Sequence, residues 1–107
     1  MFNEINRANA LSYSNIYQIS YDLIKFKDYP SLYRAIEGLG PNVRVLESLW
    51  LLKHPGTAIG IRDYLRSIVD NDDMLFVCKL EPDDGGSYNL PIHAQHWMIA
   101  NADWVYA

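Results

Sequence analysis

From Asn15 to Leu23 the side chains alternate: Tyr17, Ile19, Tyr21 and Leu23 fall on one face, Gln18, Ser20 and Asp22 on the other. A period of two is that of a strand buried on one side. After a loop at Lys25–Tyr29 the period changes. Leu32, Ala35, Ile36 and Leu39 recur at helical spacing. Pro30 suits the first helical position, Asp28 or Tyr29 precedes it as cap, and Gly40-Pro41 stops the helix. Val43 to Lys53 starts by alternating and then turns apolar on both faces. It is long for one strand, and Glu47-Ser48 is the corner at which it would fold into two. His54-Pro55-Gly56 ends it. Thr57 then caps a second helix that carries Ala58, Ile61, Leu65 and Ile68 toward the core.

An acidic turn, Asp70-Asn71-Asp72-Asp73, leads into Met74–Leu80. This continuous apolar run reads as a central strand buried on both faces. The order is β-α-β-β-α-β, the ferredoxin-like pattern of an α+β domain. Residues 1–14 lack periodicity and read as a polar N-terminal arm; residues 15–80 form the core. Glu81–Ser87 reads as a linker or turn, opening a C-terminal extension over 81–107. The extension is expected to form a short helix at 91–100 and a strand near 103–106. Its Ile92, Trp97, Met98, Ile99, Trp104, Val105 and Tyr106 need a place to bury. With the core already filled by two helices on a sheet, the expected place is across a partner subunit in a homodimer.

At 107 residues the chain suits one core and not two. Half its residues are apolar, too many for a disordered chain, yet no apolar run reaches the roughly 20 residues needed to span a bilayer. The first 14 residues are too polar for a signal peptide. The lone Cys78 cannot make an internal disulfide and reads as a buried thiol in a reducing cytoplasm. Charge is lopsided. Residues 1–69 hold eight bases against six acids, and residues 70–107 one base against seven acids, for a net charge of −4. That balance opposes a general grip on nucleic-acid phosphates. It leaves room only for a local basic face from Lys25, Lys27, Arg34, Arg44, Arg62 and Arg66.

Three segments together carry a family resemblance. They are Ile19-Ser20-Tyr21-Asp22 at the end of the first strand, Ser48-Leu49-Trp50 in the second half of the hairpin, and Asp70, Asp72 and Asp73 before Leu75-Phe76-Val77. In order and spacing, residues 15–80 resemble the SinR-like and CRISPR-associated Cas-two group of small ferredoxin-like proteins, which is itself similar to the VapD toxins. The resemblance implies a homodimer whose sheets face each other, with the first-strand aspartates of both subunits approaching across the interface. In some members that pair is proposed to hold a divalent metal for cleaving RNA or DNA. In others the protein is an adaptor and the aspartate is dispensable. VapD-type relatives are ribonucleases. Such proteins often exchange a C-terminal strand in dimers.

The candidate site is a dimer cleft with Tyr21, Asp22, Lys25, Arg44, Ser48 and Trp50 as ligand-binding residues. Two Asp22 carboxylates brought together repel unless they share a proton or bind a hard cation such as Mg²⁺, which could orient water against a phosphodiester. The plainer role for Asp22 is capping the following loop. Asp70, Asp72 and Asp73 lack the other positions of a calcium loop and read as a solvated turn. His93 and His96 stand three apart without a further ligand nearby, and His54 is distant; surface or interface positions are expected for them. Ser48 has no base at suitable spacing, and there is no phosphate-cradling glycine loop. Two functions stay open. One is a non-catalytic homodimer that needs no cofactor and binds a nucleotide, nucleic acid or protein partner through its cleft. The other is a metal-dependent endoribonuclease with Asp22 as the catalytic and Mg²⁺-holding residue.

Overall fold

The computed structural model describes residues 14–24, 28–81 and 84–102. Residues 1–13 of the N-terminal arm, Lys25, Lys27 and the expected strand at 103–106 lie outside them. In chain order the elements are β1 (Asn15–Asp22), α1 (Tyr29–Glu37), β2 (Asn42–Leu46), β3 (Leu49–His54), α2 (Ala58–Arg66), β4 (Met74–Leu80) and α3 (Ile92–Ala102). The strands form one sheet in the order β2-β3-β1-β4, every neighbouring pair antiparallel. This is a small α+β domain.

Local signals set the boundaries. Asp28 caps α1, its carboxylate accepting from the Ser31 amide at 3.1 Å and from the Ser31 hydroxyl. Those two donors hold the carboxyl below its ordinary range. The helix starts at Tyr29, so Pro30 falls at the second position, where its missing N–H still costs nothing. Thr57 caps α2 by accepting from the Gly60 amide at 3.0 Å. Glu47-Ser48 is the turn between β2 and β3. Gly40, at φ 155°, leads the chain past β3 so closely that a Cβ there would overlap the Lys53 carbonyl oxygen. The Lys53 amide donates to the Pro41 carbonyl at 2.8 Å beside it.

Both faces of the sheet carry a core. Residues paired directly across antiparallel strands share a face, so Tyr17, Ile19 and Tyr21 lie with Leu52 and Trp50 of β3 and with Val77 and Leu75 of β4. Helices α1 and α2 close that side with Leu32, Ala35, Ile36, Ile61 and Leu65. Ile19, Leu32, Ile36, Leu52, Ile61 and Leu65 are completely enclosed, each stabilising the fold by about 1.5–3 kcal/mol. Tyr17 sends its hydroxyl to the Gly56 carbonyl, fastening β1 to the approach to α2. On the other face Ile16, Val43 and Leu51 are buried under Ala94 and Met98 of α3.

Three expectations change here. The helical part of the extension packs on its own chain's sheet; it does not need a second subunit to bury Ala94 and Met98, because the sheet's second face is available. Ile92 and Ile99 stay exposed and Trp97 is half-buried. Met74–Leu80 is an edge strand and not a central one. Its apolar residues are only half-buried or exposed, Met74 and Phe76 at 54% each. Cys78 is exposed for the same reason, on the second face of this edge strand. An apolar run records how hydrophobic a strand is, not its place in the sheet.

Gly40→Ala is expected to lower the urea midpoint by roughly 1–3 kcal/mol of stability. Gly38→Ala, where φ is −73° and a Cβ has room, should change little. Met98→Ala is expected to cost about 2–5 kcal/mol, a loss that stays the same at every protein concentration, as packing within one chain requires.

Candidate functional site

Where β1 ends, its last residues meet the first turn of α1 and the β2–β3 corner. Tyr21, Asp22, Tyr29, Tyr33, Glu47 and Ser48 line one open cleft of about 620 Å³ there. Trp50 and Arg44 stand behind it. They face each other across β2 and β3, which puts Arg44 on the helix-covered side of the sheet. From there its guanidinium reaches over the Tyr33 ring, 5.0 Å from the centroid.

The rings form one packed group. Tyr21, Tyr29 and Tyr33 have centroids 6.0–6.2 Å apart in all three pairs, tilted by 49–57°, and Tyr33 lies 5.4 Å from Trp50. These are the tilted arrangements that aromatic quadrupoles favour. Tyr29 and Tyr33 are four residues apart on α1 and so share its surface.

Tyr21 is the joint of the site. Its ring belongs to the core, at 7% exposure. Its hydroxyl accepts from Trp50 Nε1 at 3.0 Å and donates to the Glu47 carbonyl at 3.3 Å. Burial, and after it the Tyr33 hydroxyl alongside, push the Tyr21 phenol well above its ordinary value of 10; the Trp50 donor and the Arg44 charge pull less strongly the other way. Tyr21 therefore stays a neutral phenol with both roles of its hydroxyl taken. It positions the Glu47-Ser48 corner and is not a free acid or base.

Asp22 pairs with Met74 across β1 and β4 and is exposed. Neither Asp22 nor Glu47 makes a side-chain hydrogen bond or ion pair with the described residues. No Lys, Arg or His belongs to the cleft lining among the described residues. Asp22 makes no side-chain bond to the described part of the following loop; Asp73 does that work. Its carboxylate accepts from the Ile24 amide at 2.9 Å and the Asp70 amide at 2.9 Å, tying the exit of β1 to the turn before β4. The ligand atoms of Asp70, Asp72 and Asp73 lie within 4.8 Å of one another, and Asp73's two bonds give the turn a structural reason.

Five of the six expected ligand residues thus gather in one place: Tyr21, Asp22 and Ser48 in the lining, Trp50 and Arg44 in contact with its tyrosines. Lys25 lies outside the described residues. Sequence reasoning passed over Tyr29, Tyr33 and Glu47. The spacing of Tyr29 and Tyr33 was the available signal, since it stacks them on one helix face. The histidines stay apart from the cleft. His93 and His96 are exposed on α3, and His54 Nδ1 is 3.0 Å from the Leu39 carbonyl, where it bridges the end of β3 to the exit of α1. Arg62 pairs with Asp63 at 2.8 Å, and Arg34 donates to Ser31 at 3.2 Å.

No protein-family model matches the chain. A crystal structure of a hypothetical protein from Thermus thermophilus is similar, with a TM-score of 0.58 at 17% identity, over 73% of this chain and 95% of that one. At that identity the likeness concerns the fold alone.

The Tyr21 phenol gives a pH test. Unfolded, Tyr21 ionises near pH 10; folded, it holds its proton higher. Its contribution is complete below pH 10 and is lost as pH climbs above that value, because only the unfolded state releases the proton. Between pH 10 and 11 the wild type should lose stability more steeply than Tyr21→Phe, by up to about 1.4 kcal/mol per pH unit. At pH 7 the same variant should be weaker by about 1–3 kcal/mol, with Trp50 Nε1 left unpaired. Urea midpoints at pH 7, 10 and 11 measure both effects.

Proposed function

We propose that this chain is a non-catalytic homodimeric binding protein on a ferredoxin-like domain, and that its partner enters the cleft at the end of β1. The ferredoxin-like assignment is supported by the order β-α-β-β-α-β ahead of α3, with β1 and β3 central in an all-antiparallel sheet. The observation that carries the binding role is the meeting of three tyrosines, two carboxylates and a serine in one cleft whose most buried hydroxyl is already engaged on both sides. Such a site presents shape, aromatic surface and charge. Among the described residues its lining holds no Cys, His or Lys. Two carboxylates with no basic residue among the described lining favour a protein partner over one that enters phosphate first.

The homodimer rests on the second face of the sheet. Helix α3 covers Ile16, Val43 and Leu51 there. Beyond it Ser20, Asp22, Met74, Phe76 and Cys78 share the face by strand register, and both Met74 and Phe76 are more than half exposed. A second copy laid on this half-face by a two-fold axis would cover the same apolar residues in both subunits.

A metal-dependent endoribonuclease is the second reading. It is supported by the exposed Asp22 at the rim of that half-face. Paired with its copy from the second subunit, Asp22 would supply the hard carboxylate oxygens that suit Mg²⁺. Bound there, the ion would activate water and neutralise charge on a phosphodiester.

Light scattering on a sizing column should give a dimer for the wild type and a monomer for Phe76→Asp. Incubation with RNAs, DNAs, nucleotides and candidate protein partners, with Mg²⁺ or EDTA, separates the two functions. Binding without turnover, unchanged by EDTA, is the expected result. Mg²⁺-dependent cleavage that disappears in Asp22→Ala would establish the nuclease instead.

A further inference from the structure

We infer that the cleft at the end of β1 selects a guanidinium group, the head of an arginine-type ligand; this rests on the cleft being the binding site. The first argument is charge. Asp22 and Glu47 bring two negative charges to the lining, and no described lining residue offsets them. Neither carboxylate is engaged by another described side chain, so no described residue competes with a ligand for them. An anionic ligand would meet like charge at contact, where repulsion costs most.

The second argument is the wall. Tyr29 and Tyr33 line the cleft and are only half-buried, so ring surface faces the ligand space. Aromatic faces attract cations, and a planar guanidinium stacks on them while its N–H groups fork toward carboxylates. A compact ammonium is more strongly hydrated and gains less from the rings. The chain supplies its own precedent: the Arg44 guanidinium already lies over Tyr33 at 5.0 Å. The same ring group therefore accepts a guanidinium, and beside it stand two carboxylates that Arg44 does not pair with.

The third argument is rigidity. Trp50 and the Glu47 carbonyl hold Tyr21, and Tyr21 in turn holds the corner that presents Glu47 and Ser48. Wall and carboxylates come from different elements locked to one core, so little order has to be created on binding.

The test is a titration of the intact protein followed by ¹H–¹⁵N NMR at the Glu47 and Ser48 amides and the Trp50 indole N–H. The probes are N-acetyl-arginine amide, its neutral near-isostere N-acetyl-citrulline amide, the tripeptide acetyl-Gly-Arg-Gly-amide, and adenosine monophosphate. The arginine probes should shift these signals saturably, and citrulline should not. Asp22→Asn and Glu47→Gln, exposed and nearly isosteric, should each weaken the arginine probe by about fivefold while leaving the melting curve in place. Tighter binding of the tripeptide assigns the guanidinium to a polypeptide partner; equal binding assigns it to a small molecule. Citrulline binding as well as arginine, or adenosine monophosphate moving the signals in place of arginine, overturns the guanidinium assignment and leaves the cleft as the binding site. If neither these probes nor any partner found for the protein moves the signals, both the assignment and the cleft reading fall.

Discussion

The Tyr21 hydroxyl is the constraint on which the site depends. A tyrosine at the end of the central strand buries its ring in the main core, and its hydroxyl must then find partners or cost about 1–3 kcal/mol. Trp50 Nε1 and the Glu47 carbonyl supply them. Both belong to the β2–β3 hairpin, so satisfying one phenol fixes where that hairpin sits against β1. The corner Glu47-Ser48 then stands beside Asp22, and Tyr29 and Tyr33 close the space from α1. A single buried polar group thus couples core packing to the geometry of the cleft.

The sheet is used unevenly on its two sides. Helices α1 and α2 leave little of the first face open: Tyr17, Ile19, Leu23 and Leu52 are buried there. On the second face the cluster under α3 takes in the β2–β3 side, the start of β1 and Leu80 at the end of β4. The remaining half, along the end of β1 and the start of β4, keeps Phe76 and Met74 toward solvent. The cleft opens at the same end. A partner subunit on the half-face and a ligand in the cleft would be neighbours, with Asp22 between them. This proximity gives the binder and nuclease readings their shared residue, and it makes dimer formation relevant to either one.

Local chemistry was legible in the sequence where a residue's own neighbours decide it. The alternation of Tyr17, Ile19 and Tyr21, the Asp28 and Thr57 caps, and the Glu47-Ser48 corner depend on contacts within a few residues. The site was legible in part, because Tyr21 and Asp22 end a strand, Ser48 sits in a turn, and a β-α-β-β-α-β order brings the two together. What failed depends on the whole sheet. Nothing in Met74–Leu80 says whether a strand lies on its far side, so the run was placed in the middle and Cys78 was buried with it. The second face was given to a partner subunit, because Ile16, Val43 and Leu51 sit in strands whose other residues already filled one core. Ala94 and Met98 then had no visible target within the chain. Glu47 was missed as a site residue for a related reason: its role depends on a turn that Tyr21 holds from 26 positions away.

The acidic residues divide by function according to the donors they meet. Asp28 and Asp73 take backbone amides, and each fixes a chain reversal. A carboxylate with its lone pairs committed to amides is poorly placed to take a ligand as well. Asp22 and Glu47 have no such engagement with the described residues, although they stand beside some of the best ordered packing in the domain. Two charges held open against an aromatic wall gain most from a partner that brings donors and positive charge together. Recognition in this cleft, as proposed, would therefore follow from which carboxylates the fold uses for itself and which it leaves open.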